Sequence, residues 1–222
     1  WGCIPTKALI KSAQVFEYLK HAEDYGLKVK EYDKDFDAVV NRSRAVADTM
    51  SKGVQFLLKK NKIDVIMGYG SLLPGKKIHV KAEDGSEQEL SAQNIIIATG
   101  ARSRELPSLP QDGKKVIGYR KAMTLEKQPK KLIVVGSGAI GVEFAYFYNA
   151  MGTEVTLIEY LPRIVPVEDE EISKQMERSF KKSGIKVMTS AEVTSVDTSG
   201  KGVKATVKTK KGEEVVEADV VL

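Results

Sequence analysis

Three glycines at one turn form the clearest chemical signal in the sequence. They follow a short apolar run and precede a helical pattern, in the order GSGAIG at residues 136–141. The first glycine permits a tight turn, the second lets a pyrophosphate approach the backbone, and the third lets the helix pack closely on the strand. The N–H groups at the helix start then bind the phosphates. The predicted contact residues are Gly136, Ser137, Gly138, Ala139, Ile140 and Gly141.

A carboxylate further along indicates which dinucleotide this site accepts. Glu159 lies 23 positions after Gly136, at the end of the next predicted strand. A carboxylate there accepts hydrogen bonds from the adenosine ribose hydroxyls and repels a 2′-phosphate. We therefore expect NAD rather than NADP. Arg163 is the one nearby feature that favours a phosphate, and we interpret it as a surface residue; a plain turn without a nucleotide is the alternative to the whole site.

The only cysteine stands at a predicted helix start. Cys3 comes two positions before Pro5, a residue that favours the first turn of a helix. The helix dipole would stabilise a thiolate there, and Lys7, one turn further on, adds positive charge. A lone cysteine at such a place is more often a packing residue than a reactive one. From these residues alone both interpretations stay open.

The elements that position these residues follow from hydrophobic periodicity. Helices are predicted from residue 3 onward and over residues 36–61, 139–151 and 169–183. Strands are predicted over residues 63–67, 94–100, 132–135, 154–158 and 185–188, with antiparallel hairpins over residues 77–90 and 192–222. Short strands that alternate with helices require a parallel, doubly wound α/β sheet, because each parallel connection crosses the sheet face. The polar, proline-containing residues 101–118 predict a linker.

Composition limits the class of protein. With 29% charged residues and no long apolar run, the chain is not expected to enter a membrane. The net charge of +5 is spread over lysine-rich turns with acidic residues between them, so we expect a solvated surface and no nucleic-acid site. One cysteine indicates a reducing compartment, taken as the cytoplasm. Because the chain starts at Trp1 and ends inside an apolar run, we expect it to be an interior part of a longer protein.

Several motifs, taken in order, resemble the flavoprotein disulfide reductases. They are GCIPTK at residues 2–7, GYG at 68–70, ATG at 98–100, GSGAIGVE at 136–143 and VTLIE at 155–159. The first is similar to the second half of the CxxxxC-x-P-x-K redox motif of that family, and the resemblance covers essentially the whole chain. The closest pattern is that of the members that oxidise dihydrolipoamide.

The resemblance implies roles around a flavin. Cys3 would be the redox cysteine nearer to FAD, and its partner cysteine would lie before Trp1. Lys7 and Glu143 would form an ion pair beside the flavin ring, on the face where the nicotinamide binds. The simpler alternative makes Lys7 a solvated lysine and Glu143 an ordinary acid on a helix surface.

The resemblance also implies further cofactor contacts and a domain division. FAD would touch Gly70, Thr99, Gly100 and Ala101, although the two glycines are equally typical of plain turns. Val193 would pack near the adenine of NAD. Residues 1–110 would form a partial FAD-binding domain, and residues 111–222 a Rossmann-like NAD-binding domain, truncated at its C-terminal end and inserted in the other domain.

The activity implied for the full-length protein is FAD-dependent oxidation of protein-bound dihydrolipoamide, with electron transfer to NAD through a redox-active disulfide. The implied partner is a lipoyl-bearing protein of a 2-oxo acid dehydrogenase or glycine cleavage complex, and the implied assembly is a homodimer. The family's histidine–glutamate base matches neither His21 nor His79, so we expect it beyond Leu222 and expect residues 1–222 alone to be inactive. The alternatives are a stand-alone NAD-binding regulatory module and another reductase, such as mercuric or glutathione reductase; Ala139 and Glu159 disfavour the latter.

Overall fold

The computed structural model describes residues 1–222. The chain packs into two units, one formed by residues 1–48 and 103–222 and the other by residues 49–102. This division reflects packing within the chain. It does not test the domain boundary expected near residue 110, which stays a prediction.

A four-stranded parallel sheet forms the centre of the larger unit. Its strands are β4 (Lys131–Val135), β5 (Glu154–Ile158), β6 (Lys186–Met188) and β10 (Val220–Val221), in the order β10-β4-β5-β6. All three strand pairs are parallel. The predicted α/β fold with a Rossmann-like parallel sheet is therefore confirmed.

Helices cover one face of this sheet. They are α1 (Cys3–Lys20), the short α3 (Tyr119–Ala122), α4 (Ala139–Ala150) and α5 (Glu170–Lys182). Alternate residues of β4 and β5, such as Leu132 and Leu157, point into the core beneath them. The largest fully buried side chains of this core are Tyr148, Phe144, Phe147 and Leu9. This packing places the start of α4 directly after β4, where the glycine motif lies.

An antiparallel sheet, rather than a second layer of helices, covers the other face. It consists of β7 (Glu192–Asp197), β8 (Val203–Thr209) and β9 (Gly212–Ala218). Its buried side chains form a second core with Ile133 and Ile158 of the parallel sheet. The connections between these strands are turns, and a turn joins antiparallel neighbours but is too short to cross a sheet face.

The last part of the chain differs from its prediction as an antiparallel hairpin. After β9 the backbone changes sheets, and β10 pairs in parallel with β4. Asp219 stabilises the change, because its Oδ2 accepts hydrogen bonds from the backbone N–H of Lys130 at 2.7 Å and of Lys131 at 2.9 Å. The strand partner of residues 220–221 is 88 positions away along the chain, so local periodicity does not indicate it.

The smaller unit contains a three-stranded antiparallel sheet. Its strands are β1 (Tyr69–Leu73), β2 (Lys77–Lys81) and β3 (Glu87–Ser91), which confirms the hairpin predicted over residues 77–90. The remaining helix, α2 (Phe36–Lys60), has residues in both units. No helix of the chain has the combination of length and apolar character that is needed to cross a membrane.

The strands predicted over residues 63–67 and 94–100 are absent, and both predictions are wrong. These segments have no regular secondary structure, and Met67 and Ile96 are 80% and 90% exposed. A strand needs a neighbour that satisfies its N–H and C=O groups, and neither segment has one here. The first strand of this region begins instead at Tyr69, where β2 provides the pairing.

Candidate functional site

The glycine turn between β4 and α4 has the geometry that its sequence predicts. Gly136 adopts a positive φ of 95°, which is strained for other residues, and its N–H donates to Ile158 at 2.8 Å. A Cβ on Gly141 would collide with the carbonyl oxygen of Gly136, so the helix packs against the strand only with glycine there. By contrast, a Cβ on Gly138 would have nothing within 4 Å. The space above Gly138 is the space that a pyrophosphate needs, so the turn fits a dinucleotide.

A groove of about 260 Å³ opens beside this turn. It includes Gly138 and Ile140 at the start of α4, and Arg104 also lines it, while no Asp or Glu does. Helix α4 has no side-chain cap at its N-terminus. The partial positive charge of the helix end and the guanidinium of Arg104 both suit an anion. The sequence alone does not indicate Arg104 as a site residue, because it lies in the polar segment predicted only as a linker.

Glu159 lies at the end of β5, as predicted, and only 7% of its surface is exposed. Its Oε2 accepts two hydrogen bonds from Ser137, one from the backbone N–H at 2.8 Å and one from Oγ at 2.6 Å. Its Oε1 accepts one from the N–H of Leu161 at 2.8 Å. The structure thus brings Glu159 to the glycine turn, and the partnership with Ser137 is one that the sequence did not indicate.

Arg163 follows Glu159 in the loop before α5. Its Nη2 donates to the carbonyl oxygen of Pro166 at 3.0 Å, and its Nη1 lies 3.8 Å from Glu170. The pKa of Glu170 is lowered, first by the hydrogen bond and charge of Lys174 and then by the charge of Arg163. The positive charge of Arg163 is therefore partly balanced by an acid of the same chain.

The cysteine end of the chain lies on α1, which begins at Cys3 as predicted. Cys3 is exposed, and Thr6 donates from its Oγ1 to the carbonyl oxygen of Gly2 at 2.8 Å. One turn along the helix, Nζ of Lys7 forms an ion pair with Oε1 of Glu143 on α4. The expected ion pair is present, and it links the helix that carries the cysteine to the helix that starts at the glycine turn.

The residues expected to touch FAD lie in the smaller unit. Gly70 is on β1, and Thr99, Gly100 and Ala101 are exposed residues without regular structure. Glycines at exposed positions leave the backbone open to a ligand. Their contact with FAD stays a prediction.

Three further residues have placements that bear on their expected roles. Val193 is 7% exposed and packs in the second core, and its contact with adenine stays a prediction.

His79 lies 3.1 Å from Glu87 on the β2–β3 hairpin, and His21 contacts the carbonyl oxygen of Glu17 at 2.9 Å. No group of three or more His, Cys, Asp or Glu residues is placed to hold a metal ion.

The chain is similar in sequence to known oxidoreductases. The chain is 48% identical over 205 residues to a dihydrolipoyl dehydrogenase of Chlorobaculum parvum, covering 92% of this chain and 44% of that protein. It is 39% identical over 224 residues to the mitochondrial dihydrolipoyl dehydrogenase of Pisum sativum, covering 100% of this chain and 45% of that protein. The chain thus spans less than half the length of these relatives.

A solved structure and a family model agree with these relatives. The crystal structure of LpdA from Mycobacterium tuberculosis matches with a TM-score of 0.89 at 30% identity, over 100% of this chain and 48% of that one. The model of the pyridine nucleotide-disulphide oxidoreductases matches residues 1–222. The chain therefore belongs to this family of FAD- and NAD-dependent enzymes.

Proposed function

We propose that the protein containing this chain is a dihydrolipoyl dehydrogenase, which oxidises protein-bound dihydrolipoamide and transfers the electrons to NAD. The observation that carries the proposal is the ion pair between Lys7 and Glu143. It couples α1, with Cys3 at its exposed start, to α4, whose own start forms the dinucleotide turn. A redox thiol and a nucleotide site are thereby held on two packed helices.

The cysteine would carry the disulfide step. In thiol–disulfide exchange a substrate thiolate attacks the partner sulfur of a disulfide that includes Cys3, and the Cys3 sulfur leaves as a thiolate. The second substrate thiol then attacks the mixed disulfide, which forms the substrate's own disulfide and releases the partner cysteine as a thiol. Cys3 at the first turn of α1 is suited to be that leaving thiolate, because the positive end of the helix dipole stabilises negative charge. FAD, when bound, would supply the two-electron chemistry that connects this thiolate to the reduction of NAD.

The remaining residues would bind and orient NAD. The open backbone at Gly138 and the start of α4 would hold the pyrophosphate, with Arg104 adding positive charge. Glu159 would accept hydrogen bonds from the adenosine ribose. Lys7 and Glu143 would stand beside the flavin, where the nicotinamide binds.

Other parts of the proposal concern the protein as a whole. The partner would be a lipoyl-bearing protein of a 2-oxo acid dehydrogenase or glycine cleavage complex, which the names of the relatives support. We also propose a homodimer, a cytoplasmic location, and a division into an FAD-binding part at residues 1–110 and an NAD-binding part at residues 111–222.

The test is a titration of NAD and NADP against the complete protein and its Glu159→Ala variant. We expect the protein to prefer NAD. The variant should lose NAD affinity and much of the preference, because it lacks the carboxylate that accepts a hydrogen bond from the ribose hydroxyl. Glu154→Ala is the matched control, since Glu154 is an exposed acid at the other end of β5. Equal affinity for both nucleotides, or an unchanged Glu159→Ala variant, would remove the cofactor assignment.

Assays of the complete protein separate the proposed enzyme from its alternatives. Flavin absorbance together with NAD reduction by dihydrolipoamide supports the proposal. NAD binding without flavin or turnover would instead indicate a binding module. Preference for glutathione disulfide or a mercuric ion as the oxidant would indicate another reductase of the family.

A further inference from the structure

Ser137, which stands between the first two glycines, is fully buried. All three of its polar atoms are hydrogen-bonded to the segment that follows β5. Its N–H and Oγ both donate to Oε2 of Glu159, and its carbonyl oxygen accepts from the N–H of Val165 at 3.0 Å. Ser137 is thus the point at which the glycine turn and the loop after Glu159 are joined.

These contacts leave the carboxylate of Glu159 few positions at which it can accept a further hydrogen bond. A carboxylate oxygen accepts about two hydrogen bonds along its lone pairs. Ser137 supplies two donors to Oε2, and Leu161 supplies one to Oε1. The acceptor position that remains for a ribose hydroxyl is therefore on Oε1.

The loop itself is constrained where it meets Ser137. Val165 has a positive φ of 40°, an uncommon conformation for a β-branched residue. Such a conformation persists where the surroundings hold it. Here the N–H of Val165 donates to Ser137, and its carbonyl oxygen accepts from Oγ of Ser173 at 3.3 Å. The loop is thus closed onto the turn behind the carboxylate.

We propose that Ser137 is a specificity-determining residue that fixes the Glu159 carboxylate in the orientation that binds a ribose hydroxyl and repels a 2′-phosphate. The inference rests on the proposed NAD-binding function. Two donors from one residue hold Oε2, so the carboxylate cannot rotate away from an approaching 2′-phosphate. Without the Ser137 hydroxyl only the backbone N–H would hold that oxygen, and the carboxylate would rotate more freely.

The test compares Ser137→Ala with Ser43→Ala in the complete protein. Both serines are buried hydroxyls, but that of Ser43 donates to the carbonyl oxygen of Val40 within α2, away from Glu159 and its loop. Calorimetric titration gives the dissociation constants for NAD and NADP, and thermal unfolding reports the stability. We expect Ser137→Ala to lower the preference for NAD over NADP about tenfold, the size of one charged hydrogen bond. Ser43→Ala should keep the wild-type preference.

A double variant shows whether Ser137 acts through Glu159. In a Glu159→Ala background, Ser137→Ala should change neither dissociation constant further. If Ser137 acts only through Glu159, its substitution has no effect once the carboxylate is gone, so the effects of the two substitutions are not additive. An unchanged preference in Ser137→Ala, or an equal loss in the Glu159→Ala background, would overturn the inference while NAD binding by the wild-type protein stands. Wild-type protein that does not bind NAD would overturn the proposed function and, with it, this inference.

Discussion

Nζ of Lys7 on α1 and Oε1 of Glu143 on α4 form an ion pair between residues 136 positions apart. The Lys7 side chain is 61% exposed and that of Glu143 is 29% exposed. Exposed ion pairs contribute little to stability, about 0–1 kcal/mol. The pair is therefore poorly explained as a stabilising contact, which favours a role in the reaction.

Lys7→Gln should separate these two explanations. In the complete protein we expect the midpoint of thermal unfolding to change little, while dihydrolipoamide-dependent NAD reduction falls on the order of tenfold or more, because a charge beside the reacting groups is lost. Lys181→Gln is the control, since it removes another exposed pair, with Glu177. Equal activity of the two variants would contradict the role.

Two glycines of one motif should respond differently to alanine. Gly141→Ala places a Cβ against the carbonyl oxygen of Gly136, so we expect a loss of stability of about 2 kcal/mol or more. Gly138→Ala has open space and an ordinary φ of −66°, so its unfolding midpoint should stay near that of the wild type. Its Cβ would occupy the pyrophosphate position, and NAD binding should be lost. A Gly138→Ala protein with normal NAD affinity would place the nucleotide elsewhere.

Cys3→Ser should stop the disulfide step and leave the fold intact. Cys3 is exposed and serine has nearly the same size, so no packing changes. We expect the complete protein to lose oxidation of dihydrolipoamide while it keeps NAD binding and NADH oxidation by an artificial electron acceptor. Activity with dihydrolipoamide comparable to that of the wild type would show that Cys3 takes no part in the disulfide step.

Tyr148 joins α4 to α3 inside the larger core. Its hydroxyl donates to the carbonyl oxygen of Ala122 at 2.6 Å, and burial raises the pKa of Tyr148, so the donor keeps its proton. Tyr148→Phe should lower the free energy of unfolding by about 1–2 kcal/mol, because a buried carbonyl loses its partner. Thermal or denaturant unfolding measures this. Tyr25→Phe, at an exposed position, should have no such effect.

Lys34 should make stability depend on alkaline pH. Its pKa is lowered, first by partial burial and then by the charge of Lys20, with Asp33 acting in the opposite direction. Between the lowered pKa and the ordinary lysine value, the unfolded chain binds more protons than the folded chain, so stability from this group rises with pH. The stability of the Lys34→Met variant relative to the wild type should therefore be highest near neutral pH, where the wild-type lysine is charged.

The unfolding midpoints of the wild type and Lys34→Met, followed from pH 7 to the alkaline range, test this dependence. The advantage of the variant should shrink as the pH rises through that window. Lys11→Met, at an exposed position on α1, is the control. A difference between the wild type and Lys34→Met that does not vary with pH would show that the charge of Lys34 has no influence on folding.

Local signals in the sequence were sufficient for the nucleotide half of the fold. The glycine turn, the start of α1 at Cys3, and the strands and helices of residues 131–188 each depend on neighbouring residues, through backbone freedom, helix starts and hydrophobic period. Glu159 was placed correctly because it directly follows a predicted strand. The ion pair of Lys7 and Glu143 came from resemblance to a family, since no local pattern links residues so far apart.

Tertiary structure alone decided the features that need a distant partner. Residues 63–67 and 94–100 have the composition of strands, but no neighbouring strand pairs with them. The parallel pairing of β10 with β4 joins residues 88 positions apart, and the clamp of Ser137 on Glu159 joins residues 22 apart. Hydrogen bonding and burial are satisfied between segments, so the same residues pair or stay exposed according to what the folded chain brings beside them.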